Sequence, residues 1–214
     1  MKQYDHLAEH VLESIVLSDA ERINILYEDR WIGYQKAIAV LNTLTDILKR
    51  PRKLRPECLL IVGDSNMGKT TIIHEFAKEY YTNRVDDMDM QLMSLTKPVI
   101  PIQAPAKANV KDLYINILDH FFVPFRVTDP ESKLRYQATH LLRKYETKML
   151  IIDELHNCLS GSARQRQEMM NTLKTLSNEL SINIIGVGTR DASLILHTDT
   201  QYASRFEVID LPLW

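Results

Sequence analysis

The sequence predicts an α/β fold: a five-stranded, mostly parallel sheet flanked by helices, with an N-terminal helical extension ahead of it. Three observations carry this. From residue 58 onward, short apolar runs alternate with longer amphipathic ones, the rhythm of strands joined by crossover helices. The apolar runs lack polar alternation, as expected of strands covered on both faces. The first run leads straight into a glycine-containing loop and then a helix, the local order that builds an anion site. At 214 residues the chain holds one full core and not two large ones. The expected division is 1–50 for the extension and 51–214 for the αβα core.

The elements follow in order. Leu7, Val11, Leu12 and Ile15 have helical spacing. Ser18 followed by Glu21 is a capping-box pattern that starts a second helix. Trp31-Ile32-Gly33-Tyr34 interrupts, and a third helix is expected from Gln35 to Leu48. The connector Lys49–Pro56 is basic, and its two prolines end the helix and enforce an extended entry. Strands are then expected at Cys58–Val62, Val99–Gln103, Met149–Asp153, Asn183–Val187 and Phe206–Leu211. Helices are expected at Lys69–Tyr81, Val110–Phe122, Ser132–Lys144, Arg164–Leu180 and Ala192–His197. The segment Asn83–Lys97, with Asp86, Asp87 and Asp89, reads as a solvated loop. It lacks the glycine turn and terminal Glu of a calcium loop.

Composition narrows the class. Lys and Arg number 26 against 28 Asp and Glu, a formal charge of −2. This excludes a globally basic nucleic-acid coat and leaves room for a local basic face. No run approaches the roughly 18 apolar residues of a spanning helix, so no membrane role is expected. The N-terminus MKQYDHLAEH has no apolar signal core. Cys58 and Cys158 both lie in apolar segments, which suits reduced thiols and a cytoplasmic location.

The strongest motif is Gly63-Asp64-Ser65-Asn66-Met67-Gly68-Lys69-Thr70, a full match to G-x-x-x-x-G-K-[ST]. Gly63 and Gly68 let the backbone curl close to phosphate. The loop amides, with those of the first helical turn through Thr71, point at the anion. Lys69 supplies a cation near the β- and γ-phosphates, and the Thr70 hydroxyl is a ligand for Mg²⁺. The cofactor pair expected is therefore ATP and Mg²⁺. Met149–Glu154 is an apolar run ending in two carboxylates. Asp153 suits the metal, and Glu154 suits the general base that activates water. Ile184–Thr189 is a second such strand ending in a hydroxyl, so Thr189 is placed near the γ-phosphate or its water, with Arg190 next. Arg205, just before the last strand, has no evident partner within the chain and is a candidate arginine finger for a neighbour's γ-phosphate.

In this order the motifs resemble the AAA+ ATPases. The lead-in Asp29-Arg30-Trp31-Ile32-Gly33-Tyr34, the basic Pro-flanked connector, Leu150–His156, Gly186–Thr189 and Ala203-Ser204-Arg205-Phe206-Glu207 narrow the likeness. Over about residues 20–214 the chain resembles the TniB-type (TnsC-like) transposition regulator ATPases. The resemblance implies a prokaryotic ATPase that oligomerises on double-stranded target DNA as a ring or helix, recruits transposase and target-selection proteins, and disassembles on hydrolysis. It puts Trp31, Ile32 and Gly33 beside the adenine. It also puts Lys111 in Asn109-Val110-Lys111 against DNA, with Lys107, Thr128 and Lys133 as weaker candidates. The basic connector is a second possible DNA cluster. Family members usually continue into a small helical lid after the last core strand. The sequence stops at Leu211-Pro212-Leu213-Trp214, so the lid is expected to be absent. Two alternatives stand beside this reading: a nucleotide-locked DNA scaffold without appreciable turnover, and another AAA+ role such as a helicase loader.

Overall fold

The computed structural model describes residues 9–27, 31, 33–82, 96–197 and 203–212. The chain divides into two compact units, 1–32 and 33–214. In the first, helix α1 (Glu9–Leu12) passes into a 3-10 turn, Glu13–Val16, and α2 spans Asp19–Leu26. The expected capping box starts α2. The Ser18 hydroxyl accepts from the Glu21 amide at 3.5 Å, and the Ser18 amide donates to the Glu21 carboxylate at 2.9 Å. The Ser18 hydroxyl, donating to the Glu21 carboxylate at 2.7 Å, and then the Ser18 amide hold that carboxyl below its usual range. α2 buries no side chain. Leu7 lies outside the described residues.

The second unit opens with α3 (Gln35–Lys49) and the connector. It continues through β1 (Cys58–Val62), α4 (Lys69–Thr82), β2 (Val99–Gln103), α5 (Val110–His120) and α6 (Glu131–Lys144). It closes with β3 (Met149–Asp153), α7 (Ala163–Leu180), β4 (Asn183–Gly188), α8 (Arg190–His197) and β5 (Phe206–Asp210). The five strands form one sheet in the order β2-β3-β4-β1-β5, and every pair is parallel. All their C-terminal ends therefore lie along one edge.

Alternation along the strands explains the layers. Leu60, Val62, Ile100, Ile102, Leu150 and Ile152 join one core with Leu113, Ile117, Leu134, Leu142 and Leu173 of α5, α6 and α7. The intervening Leu59, Ile61, Ile151, Ile185 and Val187 are equally buried and face the other side. There α4 packs on β2 and β4, and α3 packs on α4. The apolar runs read as double-sided because both sides are covered.

Element ends differ from expectation where loop chemistry intervenes. α5 stops at His120, since Phe122 is left-handed with φ 53°. α7 begins at Ala163 because Ser162 and Gln165 form a second capping box. α8 begins at Arg190, two residues early, as the Ala192 amide donates to the Thr189 carbonyl at 3.0 Å. A 3-10 turn, Leu155–Leu159, follows β3; nothing in the periodicity announces it. The acidic segment 83–95 lies outside the described residues. Among those that are described, no helix is long and apolar enough to cross a membrane.

Candidate functional site

The site is built where β1, β3 and β4 end side by side. Between β1 and α4, the loop 63–68 folds over the strand ends, with the Gly63 amide donating to the Gly188 carbonyl at 3.3 Å. Gly63 is a packing requirement: a Cβ there would lie 3.1 Å from the Leu211 carbonyl oxygen. Gly68 is a conformational requirement, with φ +73° and open space around it. Asn66 is left-handed at φ 64°, which Asn tolerates better than most residues. Met67 is buried and anchors the loop, while Ser65 and Asn66 are exposed. The Tyr34 hydroxyl donates to the Met67 carbonyl at 3.4 Å, and burial raises the Tyr34 pKa.

Lys69 turns back across the loop. Its ammonium donates to the Gly63 carbonyl at 2.9 Å and the Asp64 carbonyl at 2.6 Å. The Thr70 hydroxyl donates to Asp153 Oδ2 at 2.7 Å, so the loop and the acidic strand end meet directly. Asp153 is buried, and its other oxygen accepts from the Glu154 amide at 2.8 Å. The carboxylate is thus oriented through both oxygens. Two hard oxygen donors converging at one point, next to a phosphate loop, fit Mg²⁺, which completes its shell with water and phosphate oxygens. Thr71 sits exposed on the first turn of α4.

Glu154 adopts the left-handed conformation, φ 57° and ψ 35°. Its carboxylate lies 3.1 Å from His156 Nε2. Thr189 leaves β4 at the same edge, one residue past Gly188, which is in register with Val62. Arg190 bridges the loop to the last strand: Nη1 donates to Asp64 and Nε to Asp210, both at 3.2 Å. Glu154, Lys69, Thr70, Asp153 and Thr189 are therefore all brought to one edge.

Arg205 is not among them. It precedes Phe206, which pairs with Cys58 at the opposite edge. Five residues of strand separate the two edges, about 16 Å. Both terminal nitrogens of Arg205 donate weakly, at 3.4 Å, to Asn178 of α7, a partner the sequence did not suggest. Trp31 is half-buried in the first unit and Gly33 is exposed at the start of the second. Ile32, Asp29 and Arg30 lie outside the described residues.

The two basic clusters part company. In the connector, Arg50 and Lys53 both pair with Glu57, and Arg52 donates to the Leu180 and Thr147 carbonyls. These residues brace the N-terminal strand ends, opposite the phosphate loop. Lys107 and Lys111 instead flank Asn109, which caps α5 by accepting from the Lys111 amide at 3.0 Å, and α5 starts at the loop's edge. α6 runs the same way as α5. Tyr114 senses Glu131 and Arg135 at one end, and Phe121 stacks on Tyr145 at the other. Thr128, exposed, and Lys133 thus also lie toward the loop's edge, although Lys133 pairs with Asp129 at 3.0 Å and lowers that carboxyl's pKa.

Sequence reading missed His156 and the Asp64–Arg190–Asp210 bridge. His156 stands two residues past Glu154, a spacing that could have flagged it. The bridge joins residues 126 and 20 positions apart and left no local signal. Cys58 and Cys158 are free and buried; burial raises both thiols, Cys158 to about 12.

The chain is similar in fold to several solved structures. The Aeropyrum pernix ORC2 protein, solved as ADPNP–ADP complexes, is 19% identical with a TM-score of 0.64, over 87% of this chain and 51% of that one. The Aeropyrum pernix ORC1 protein in complex with DNA is 14% identical with a TM-score of 0.61, over 84% and 44%. Cdc6p from Pyrobaculum aerophilum is 16% identical with a TM-score of 0.59, over 88% and 48%. The chain spans about half the length of these structures, and at such identities the likeness speaks for the fold. No curated protein matches. The family model described as "Bacterial TniB protein" matches residues 22–214; the chain belongs to the TniB family.

Proposed function

We propose that this protein is an ATP-dependent regulator of DNA transposition. It assembles on double-stranded target DNA with ATP held between neighbouring copies, recruits transposase and target-selection proteins, and comes apart on hydrolysis. The observation that carries the ATPase part is the 2.7 Å bond from Thr70 to Asp153. It joins the phosphate loop and the acidic strand end into one site, with Glu154 adjacent.

In this reading the loop amides and Lys69 hold the β- and γ-phosphates, with Lys69 exchanging its two loop carbonyls for phosphate oxygens. Gly33, in the same unit as the loop, serves the adenine. Thr70 and Asp153 would hold Mg²⁺, which neutralises charge on the β- and γ-phosphates when bound. Glu154 takes a proton from water as its oxygen bonds to the γ-phosphorus. The bond from that phosphorus to the bridging oxygen breaks, and ADP leaves. Thr189 orients the water or the γ-phosphate. Arg205 is about 16 Å from its own loop, so the finger it supplies serves a neighbour's nucleotide, and the site is complete only in an oligomer. Lys111, Lys107, Thr128 and Lys133 face the duplex, whose phosphates they meet repeatedly in an array.

Two variants test this. Lys69→Ala should lose ATP binding and, with it, assembly on DNA. Glu154→Gln should still bind ATP yet release no phosphate, and its DNA complexes should outlive those of the wild type. Assembly by Lys69→Ala, or phosphate release by Glu154→Gln at the wild-type rate, would contradict the reading.

A further inference from the structure

We propose that His156 is a positioning residue for the Glu154 carboxylate, fixing the base to the strand that carries Thr189. The inference rests on the reading of Glu154 as the base, and it starts from the backbone. Glu154 is held left-handed by its own amide bond to Asp153 and by the Asn157 amide donating to its carbonyl at 2.9 Å. Leu155 wedges the turn further, since its side chain occupies the space where a Cβ on Gly186 would stand. The direction in which the Glu154 side chain leaves the turn is therefore set. Its outer torsions are not, because the side chain is 41% exposed and an exposed Glu samples many rotamers.

His156 removes that freedom. Its Nε2 lies 3.1 Å from Glu154 Oε2. A carboxylate only accepts, so the proton of a neutral ring must be on Nε2. Nδ1 is then a bare lone pair, and it is buried with no bonding partner among the described residues. The Nδ1 side of the ring packs against the end of β4: a Cβ on Gly188 would be 3.4 Å from Nδ1 and 3.4 Å from the His156 amide nitrogen. A proton on Nδ1 would be enclosed there with no acceptor, which favours the same tautomer. That close approach of Nε2 engages Oε2 and leaves Oε1 to take the proton of the attacking water. It also keeps the base beside Gly188, the residue preceding Thr189, so the two groups that handle the water share a frame.

The nitrogen that matters can be isolated by substitution on the full chain. Gln places its amide nitrogen near the position of Nε2, whereas Asn places its amide near Nδ1. His156→Ala should lower kcat for ATP about tenfold, less than loss of the base itself. KM and the affinity for a fluorescent ATP analogue should stay within about twofold. His156→Gln should recover most of the loss and His156→Asn should not. Equal turnover in His156→Ala, an increase in turnover, or equal behaviour of the Gln and Asn variants would overturn the proposal. Nitrogen-15 NMR gives a readout apart from turnover: His156 should be the Nε2–H tautomer, with ring resonances that shift in Glu154→Ala. An Nδ1–H ring would contradict it. Wild-type protein that binds ATP without turning it over would overturn the base assignment and this inference together. Wild-type turnover unaffected by His156→Ala would overturn the inference alone.

Discussion

At the scale of single residues, the site depends on two glycines for different reasons. Gly63 is closed in by the Leu211 backbone, 3.1 Å from a would-be Cβ, and backbone gives way poorly. Gly63→Ala should cost about 1–3 kcal/mol by overpacking, read as a lower midpoint in urea. Gly68 has space around it but φ +73°, so Gly68→Ala should cost about 1–2 kcal/mol of backbone strain. Its loss should show in ATP affinity, because the strain falls on the loop that must cradle phosphate. An unchanged midpoint in the first variant, or unchanged affinity in the second, would contradict these assignments. Both glycines were legible beforehand because a phosphate loop is specified by contiguous residues. Thr70 and Asp153 were legible as chemistry but not as a contact. Their bond spans 83 positions, and only the pairing of β1, β4 and β3 brings the two strand ends together.

At the scale of elements, the central strands were the most legible, since a strand covered on both faces must be apolar throughout, as in Leu59–Val62 and Leu150–Ile152; β5, an edge strand reading Phe-Glu-Val-Ile-Asp, is mostly exposed. The helix ends were less so. Ser162 with Gln165 is a capping box that sequence reading passed over, and the 3-10 turn after Glu154 has too few residues for any period to emerge. Ser162→Ala should cost about 1 kcal/mol and leave ATP binding unchanged; a thermal melt checks it. The end of α5 makes a pH prediction. Burial, and then the ammonium of Lys97, lower the His120 pKa to about 4. The unfolded chain protonates this group below about 6.5, while the folded chain resists until about 4. Stability from this residue is therefore present above 6.5 and lost as pH falls toward 4. After discounting for partial exposure it amounts to about 1–2 kcal/mol. His120→Phe should flatten that part of the stability profile relative to wild type. A parallel loss in both proteins would show that His120 does not drive it.

At the scale of the whole molecule, the parallel sheet sorts function by edge. The phosphate loop, the acidic pair, Thr189 and the lysines at 107, 111 and 133 lie toward the C-terminal edge. The connector lies at the other, where three of its cations already have partners in the protein. Lys111→Ala should therefore weaken binding to duplexes of any sequence and reduce the salt slope by about 1. Lys53→Ala should leave the slope unchanged. The reverse pattern would move the DNA face to the connector. The sequence offered both clusters and preferred the one at Lys111 by resemblance, but a list of lysines does not say which pair with Glu57. In the proposed reading Arg205 belongs to this scale too, as a side chain far from its own nucleotide would serve a second copy. Arg205→Ala should keep monomer affinity for ATP and lose DNA-stimulated hydrolysis. Particle imaging of purified protein with ATP, ADP or no nucleotide, each with and without duplex DNA, tests the central claim most directly. The account predicts ordered oligomers on DNA with ATP alone, dissolving as phosphate is released. Single particles under every condition, or oligomers indifferent to nucleotide, would contradict it.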